Sequence, residues 1–394
     1  MSSSLRPSLI AVLIALLAAC GGGGSGNDSP DTKLSAAAAL GEQIFNDATL
    51  SASGQMLCAT CHVAATAHTT GNPDLVVPAG GAMLATPGFR NAPSLRYLNL
   101  NPAFFFDKDG TPTGGFNRDG RANSLMEQVQ RPFLGAHEMA NESPAAVIEK
   151  LKSAPYAEEF RRLFGAGILD TPDAAFDRVR FALAQYQTED ADFHRFDRKY
   201  DFFLAGRATL TGREVQGLAL FNNPDKSNCA ACHPSGRGAN GASPLFTDFT
   251  CDNIGVPRNP AIPANADGAY FDLGLCGPFR TDLAQRSELC GAFKVPTLRN
   301  VALSAPYFHN GRFRTLKEVV GFYVRRDTNP DEWYPLNADG SVNKYDDLPP
   351  QYHRNVNATE APYNRRQGEV PALTPDEIDL VVEFLNTLTD GYPP

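Results

Sequence analysis

The sequence predicts a mainly α chain built as two similar units, and three features point that way. Helix-start signals recur along it, convincing alternating strands are scarce, and one short cysteine pattern occurs twice. With 394 residues the chain is long enough for two domains of ordinary size.

The helix starts justify the first feature. Ser143-Pro144, Thr171-Pro172 and Thr374-Pro375 each place a hydroxyl where it caps free amides and a proline in the first helical position. Thr211 and Glu214, Thr315 and Glu318, and Thr374 and Glu377 have capping-box spacing. After the last of these, Ile378, Val381, Val382, Leu385 and Leu388 share one helical face, which predicts a C-terminal helix docked on a core. Between the helices, Gly/Pro/Asn/Asp-rich loops fill 66–93, 99–120, 234–282 and 327–373. A bound cofactor can organise such loops where secondary structure does not.

The repeated pattern justifies the two units. LGEQIFND precedes CATCH at 58–62, and QGLALFNN precedes CAACH at 229–233. In each, a glycine lies four residues before a phenylalanine at the end of an expected helix, and the cysteine motif follows in a short loop. The copies are offset by 171 residues, His233 minus His62, which places a boundary near residue 205. The expected division is a leader over 1–19, a tether over 20–34, and units at 35–205 and 206–394.

The N-terminus sets the compartment. Arg6 precedes an apolar run from Leu9 to Ala19 that is short for a membrane span and ends in small residues, as a secretory signal does. Leu17-Ala18-Ala19-Cys20 has the form of a bacterial lipobox, which predicts cleavage before Cys20 and lipidation of its thiol. The GGGGSGNDSP that follows is a flexible tether; about fourteen such residues reach roughly 20 Å. The expectation is a periplasmic protein that meets the membrane only through this lipid anchor. Without the leader, 34 Lys+Arg (35 less Arg6) face 44 Asp+Glu, a net charge of −10 that argues against nucleic acid.

Cys-x-x-Cys-His is compatible with zinc, a redox disulfide or haem. Zinc wants about four ligands where each motif offers three, and a thioredoxin-like pair needs a strand-to-helix setting that neither copy has. Covalent haem accounts for every residue: Cys58 and Cys61, or Cys229 and Cys232, add to the two vinyl groups, and His62 or His233 lies beneath the iron. The chain thus reads as two cytochrome c-like haem domains joined by long loops. Cys276 and Cys290 bracket a Gly-rich loop and suit a disulfide in an oxidising compartment, which leaves Cys251 odd.

FKVPTLRNVALSAPYFHNGRFRTLKEVV at 293–320, RNAPSL at 90–95, DGRANSLMEQ at 119–128 and HEM at 137–139 resemble, in order, the bacterial dihaem cytochrome c peroxidases and their relative MauG. The resemblance runs from about residue 38 to 390. It implies haems facing the domain interface, a peroxide-reactive N-terminal haem and a C-terminal haem that relays electrons. Fourteen residues after His309 stands Tyr323, at the position where MauG has a tyrosine and most peroxidases a methionine as distal ligand. Gln128 and Glu138 match the family's distal glutamine and acid, although a bare reading of Glu138 is a solvated helix-end carboxylate. Asn91, Ser304 and Pro306 match the positions around an inter-haem calcium, one side-chain oxygen and two carbonyls.

Two positions depart from the family's pattern. Met83 stands where many members have a histidine that closes the first haem, so that haem is expected to be open. Arg118 stands where a tryptophan usually relays electrons between the haems; the only tryptophan is Trp333, in a late loop. The activity implied is that of a cytochrome c peroxidase, in which H2O2 is reduced with electrons from a small periplasmic cytochrome c or cupredoxin. The alternatives are MauG-like oxidation of a partner protein's side chains through a high-valent dihaem state, and a non-enzymatic dihaem electron carrier.

Overall fold

In a computed structural model the described residues are 33–393, and ten α-helices carry them. These are α1 (Ala36–Phe45), α2 (Cys58–Cys61), α3 (Leu125–Leu134), α4 (Pro144–Leu151), α5 (Ala157–Phe164), α6 (Pro172–Glu189), α7 (Lys199–Leu204), α8 (Gly212–Asn222), α9 (Leu316–Arg325) and α10 (Pro375–Asn386). Named strands form three antiparallel pairs of two residues each: β1 (Ala79–Gly80) with β2 (Thr86–Pro87), β3 (Phe105–Phe106) with β4 (Pro112–Thr113), and β5 (Cys251–Asp252) with β6 (Phe293–Lys294). The fold is therefore mainly α. The leader, Cys20 and all but the last two residues of the tether lie outside the described residues. Among those described, no helix is long and apolar enough to cross a membrane.

Apolar side chains collect in two main cores. The first runs from Leu40 to Phe193 and joins α1 and α3 to α6 around Ile44, Phe133, Val147, Phe160 and Leu183. The second runs from Tyr200 to Leu388 and joins α7 to α10 around Phe221, Phe246, Phe322, Val381 and Phe384. Each fully buried phenylalanine contributes about 1.5–3 kcal/mol relative to exposure.

The glycine of each sequence echo explains how its helix packs. A Cβ at Gly41 would stand 2.1 Å from the carbonyl oxygen of Ala182 and 2.9 Å from Cβ of Tyr186, so α1 crosses α6 in backbone contact. A Cβ at Gly217 would stand 2.1 Å from the carbonyl oxygen of Leu380 and 2.9 Å from Cβ of Phe384, so α8 crosses α10 the same way. The same device, a glycine wedged over residues i and i+4 of the partner helix, serves both units. Phe45 and Phe221, four residues on, then turn into the two cores.

The caps follow the sequence with one exception. Ser143, Thr211, Thr315 and Thr374 accept hydrogen bonds from the amides three residues on, and the last three close capping boxes with Glu214, Glu318 and Glu377. Thr171 makes no side-chain cap, because a 3-10 turn (Ile168–Asp170) runs into it and sets its backbone at φ −121°, ψ 84°.

Buried ion pairs tie the two halves together. Arg90 makes a two-pronged contact with Asp272 (2.6 and 2.7 Å) and a further bond to Asp119 (2.7 Å). Arg96 reaches Asp192 in its own half and Asp390 in the other, while Arg299 grips Asp201 within the second half with both terminal nitrogens. Such pairs fix register more than they add stability.

The glycine crossings are directly testable. Gly217→Ala is expected to lower stability by about 1–3 kcal/mol, because a methyl cannot enter a backbone contact without separating the helices. Gly212→Ala, in the same helix with nothing within 4 Å of a Cβ, is expected to be neutral or slightly stabilising. Urea denaturation of the two variants checks this; equal midpoints would contradict it.

Candidate haem sites

The two cysteine motifs fold alike at the level of single hydrogen bonds. In the first, α2 spans both cysteines and the amide of His62 bonds to the carbonyl of Cys58 at 3.1 Å. In the second, a 3-10 turn (Cys229–Ala231) leads to the same closure, His233 to Cys229 at 2.9 Å. Each closure brings two thiols and one imidazole to one side of a tight turn. All four motif cysteines are unpaired, and burial pushes them up to about 12 for Cys58 and Cys232 and about 11 for Cys61 and Cys229.

Both imidazoles are oriented by backbone. His62 Nδ1 lies 3.0 Å from the carbonyl oxygen of His68, and His233 Nδ1 lies 2.7 Å from that of Phe246. An acceptor opposite Nδ1 holds the proton there and leaves the Nε2 lone pair for a metal. Burial lowers both histidines, His62 to about 4, so each stays neutral and able to ligate. The two carbonyls belong to residues in the left-handed region, His68 at φ 55° and Phe246 at φ 54°. The donor set and its orientation fit a c-type haem at each motif.

The faces opposite these histidines differ. Cys58, Cys61 and His62 share a cavity of about 70 Å3 with Gln128, Glu138, Phe133, Met139 and Leu183. Burial raises the Glu138 carboxyl above the usual carboxylate range, against the lowering influence of His137, Arg121 and Arg131. Met83 is 88 % exposed and lies away from this cavity. Cys229, Cys232 and His233 share a larger cavity of about 210 Å3 with Tyr323, Tyr363, Phe308, Arg118 and Lys294. Tyr323 projects into it from α9, next to Phe308 (ring centroids 5.8 Å apart) and Tyr363 (6.1 Å). A third cavity, of about 160 Å3, is lined by Gln128, Arg118, Lys294, Ser304 and Pro306.

Asn91 is 3 % exposed; its amide nitrogen abuts the Pro306 carbonyl, and its Oδ1 is buried without a partner. The Oδ1 is a free hard donor, but the Pro306 carbonyl is engaged by the Asn91 amide nitrogen. Ser304 turns its hydroxyl to the Val301 carbonyl at 2.9 Å. Cys276 and Cys290 form a disulfide, and Cys251 is buried and free. Trp333 packs edge-on against Phe313 and Phe322 and lines none of the three cavities.

Several contributors escape a sequence reading. Gly135 lies so close to Glu138 that a Cβ there would sit 2.2 Å from the carboxylate. Gly80 and Gly81 let the backbone pass against His137 and Glu138, with Gly81 N donating to Glu138 O at 2.8 Å. Tyr363 brings a second phenol to the His233 cavity, under the guanidinium of Arg326 at 4.2 Å. The glycines were visible as letters, but only tertiary contact shows what they clear.

Two cysteine–histidine units, each opening on its own cavity, are the arrangement of a protein that carries its cofactor twice. Comparison with known proteins specifies the class. Residues 35–209 match the family described as di-haem cytochrome c peroxidase. The chain is 37 % identical over 396 residues to the methylamine utilization protein MauG of Paracoccus denitrificans (strain Pd 1222), covering 98 % of this chain and 96 % of that protein. It is 31 % identical to the cytochrome c551 peroxidase of Pseudomonas aeruginosa over 71 % of this chain and 69 % of that one. The crystal structure of the diheme peroxidase BthA from Burkholderia thailandensis E264 matches with a TM-score of 0.83 at 37 % identity, over 90 % of this chain and 86 % of that one. The chain belongs to the dihaem cytochrome c peroxidase family; it is an oxidoreductase, and the family implies two haems.

The Gly135 contact yields a test of the Glu138 pocket. Gly135→Ala is expected to push the carboxyl aside and slow the reaction with H2O2 at least tenfold, with both haems retained. Stopped-flow absorbance checks this; an unchanged rate would show that the carboxyl position is immaterial.

Proposed function

We propose that the protein is a periplasmic H2O2-using oxidoreductase of cytochrome c peroxidase type, with peroxide handled at the His62 cavity and electrons supplied through the His233 cavity. The observation that carries this is the inequality of the two faces: an acid and an amide on one, a phenol on the other. When bound, the haems supply the iron redox chemistry that consumes peroxide.

The chain's own residues do the rest. The Glu138 carboxylate takes a proton from one peroxide oxygen and returns it to the other as the O–O bond breaks, so the leaving group departs as water. Two electrons from a reduced donor and two protons complete the reduction of H2O2 to two waters. The Gln128 amide, on the same cavity, orients the peroxide by hydrogen bonding. Phe133, Met139, Val129 and Leu183 make the surrounding wall apolar, which limits water and keeps Glu138 raised. Tyr323, whose side-chain oxygen has no hydrogen-bond partner among the described residues, closes the other site. It would hold the iron of a haem bound there, and a phenolate, as a hard anionic ligand, would favour the ferric state.

A second reading rests on the match to MauG, which spans almost the whole chain where the cytochrome c551 peroxidase covers under three quarters. In it, the same peroxide chemistry draws its electrons from side chains of a partner protein. Turnover with a reduced small cytochrome or cupredoxin separates the two: sustained oxidation supports the first reading, and prompt reaction with H2O2 without turnover supports the second.

The Glu138 role predicts both size and sign. Glu138→Gln is expected to slow the reaction with H2O2 by about 10²–10⁴-fold. Because the unprotonated form is the base and burial raises its pKa, the wild-type rate should rise with pH through a value above the usual carboxylate range. The variant should lose that step. A pH-independent wild-type rate, or an undiminished variant, would remove Glu138 from the reaction.

A further inference from the structure

Two cations on the wall between the cavities lack counter-charges. Arg118 and Lys294 both line the His233 cavity and the third cavity, and the Lys294 amide bonds to the Arg118 carbonyl at 2.8 Å. Nε of Arg118 donates to the Asn91 carbonyl at 2.9 Å, and its two terminal nitrogens have no partner among the described residues. Lys294 Nζ donates only to neutral oxygens, Asn101 Oδ1 and the Gly115 carbonyl, both at 2.6 Å.

The neighbouring carboxylates are engaged elsewhere. Asp272 is held by both prongs of Arg90, Asp119 by Arg90 and Arg121, and Asp347 by Arg258 at 3.0 Å. Burial, and then Arg90, pull Arg118 down to about 10, and burial pulls Lys294 down to about 8. Two adjacent cations facing a cavity with no anion of their own are costly to maintain unless an anion completes them.

We infer that Arg118 and Lys294 form a carboxylate seat that holds a propionate of the haem in the His233 cavity. That cavity, unlike the third, also contains the attachment cysteines and the histidine, which assigns the seat to this haem. The position usually taken by an oxidisable tryptophan therefore carries a fixed positive charge, which cannot relay an electron hole and instead tunes the haem beside it. The inference rests on the proposed function in requiring two attached haems.

The test is a spectroelectrochemical titration of the holoprotein, with haem content from the pyridine haemochromogen. A unit charge removed at roughly 10 Å, in a medium of effective dielectric about 20, changes a one-electron equilibrium constant by about tenfold. Arg118→Gln is expected to lower the potential of the low-spin haem by that factor, about 59 mV. Lys294→Met should act in the same direction, and Arg118→Lys should stay within threefold of the wild type. Shifts below threefold in both neutral variants with two haems attached, or a shift confined to the other haem, would overturn the seat. Should Arg118→Gln not assemble, Lys294→Met decides alone by the same threshold. Wild-type protein with fewer than two haems would instead contradict the proposed function.

Discussion

One hydrogen bond at each motif, from an imidazole Nδ1 to a backbone carbonyl, is the constraint on which the rest of the structure depends. The carbonyl is presented correctly only because its residue, His68 or Phe246, adopts a left-handed backbone. That conformation costs roughly 1–2 kcal/mol for a residue with a side chain. In both units the same residue recovers the cost by burying its own side chain. His68 stacks on Phe193 at 4.3 Å and contacts Asp192 at 2.8 Å, while Phe246 packs among Tyr200, Phe221 and Phe384. The orientation of each ligand is thereby coupled to its own core. The cores in turn depend on the glycine crossings at Gly41 and Gly217.

With proximal geometry duplicated, any difference between the sites must come from the opposite faces and from charge. The His62 face has a buried carboxyl that burial makes more basic, which is what a proton shuttle requires. The His233 face has a phenol on a helix firmly capped by Thr315 and Glu318. The wall beside that second site carries Arg118 and Lys294. In the proposed arrangement a phenolate from Tyr323 and the Arg118–Lys294 pair would act oppositely on the potential of a haem held there.

Much of this was legible in the sequence, for identifiable reasons. CATCH and CAACH, the capping boxes and the apolar face of α10 are local patterns, and local hydrogen bonding preserves them. Thr171 departs from the side-chain cap its Thr-Pro pair predicts, because that pair does not encode the preceding 3-10 turn. Only the family resemblance points to Glu138, Gln128 and Tyr323; nothing in their spacing says that they line cavities. The Gly135 contact is local, three residues from Glu138, but no side-chain pattern marks it, while the roles of Tyr363 and Arg118 depend on chain segments far apart in sequence. The departure at Arg118 was plain as a letter, but its lack of a carboxylate partner appears only once Arg90 is seen to occupy Asp272 and Asp119.

The central claim is that two equivalent attachment sites carry unequal distal faces, open above His62 and closed by Tyr323 above His233. Low-temperature EPR of the ferric holoprotein tests it most directly. The account predicts one high-spin and one low-spin haem in equal amounts, with the low-spin signal altered by Tyr323→Phe and the high-spin signal unaffected. Two low-spin haems in the resting protein, or a low-spin signal indifferent to Tyr323, would contradict it.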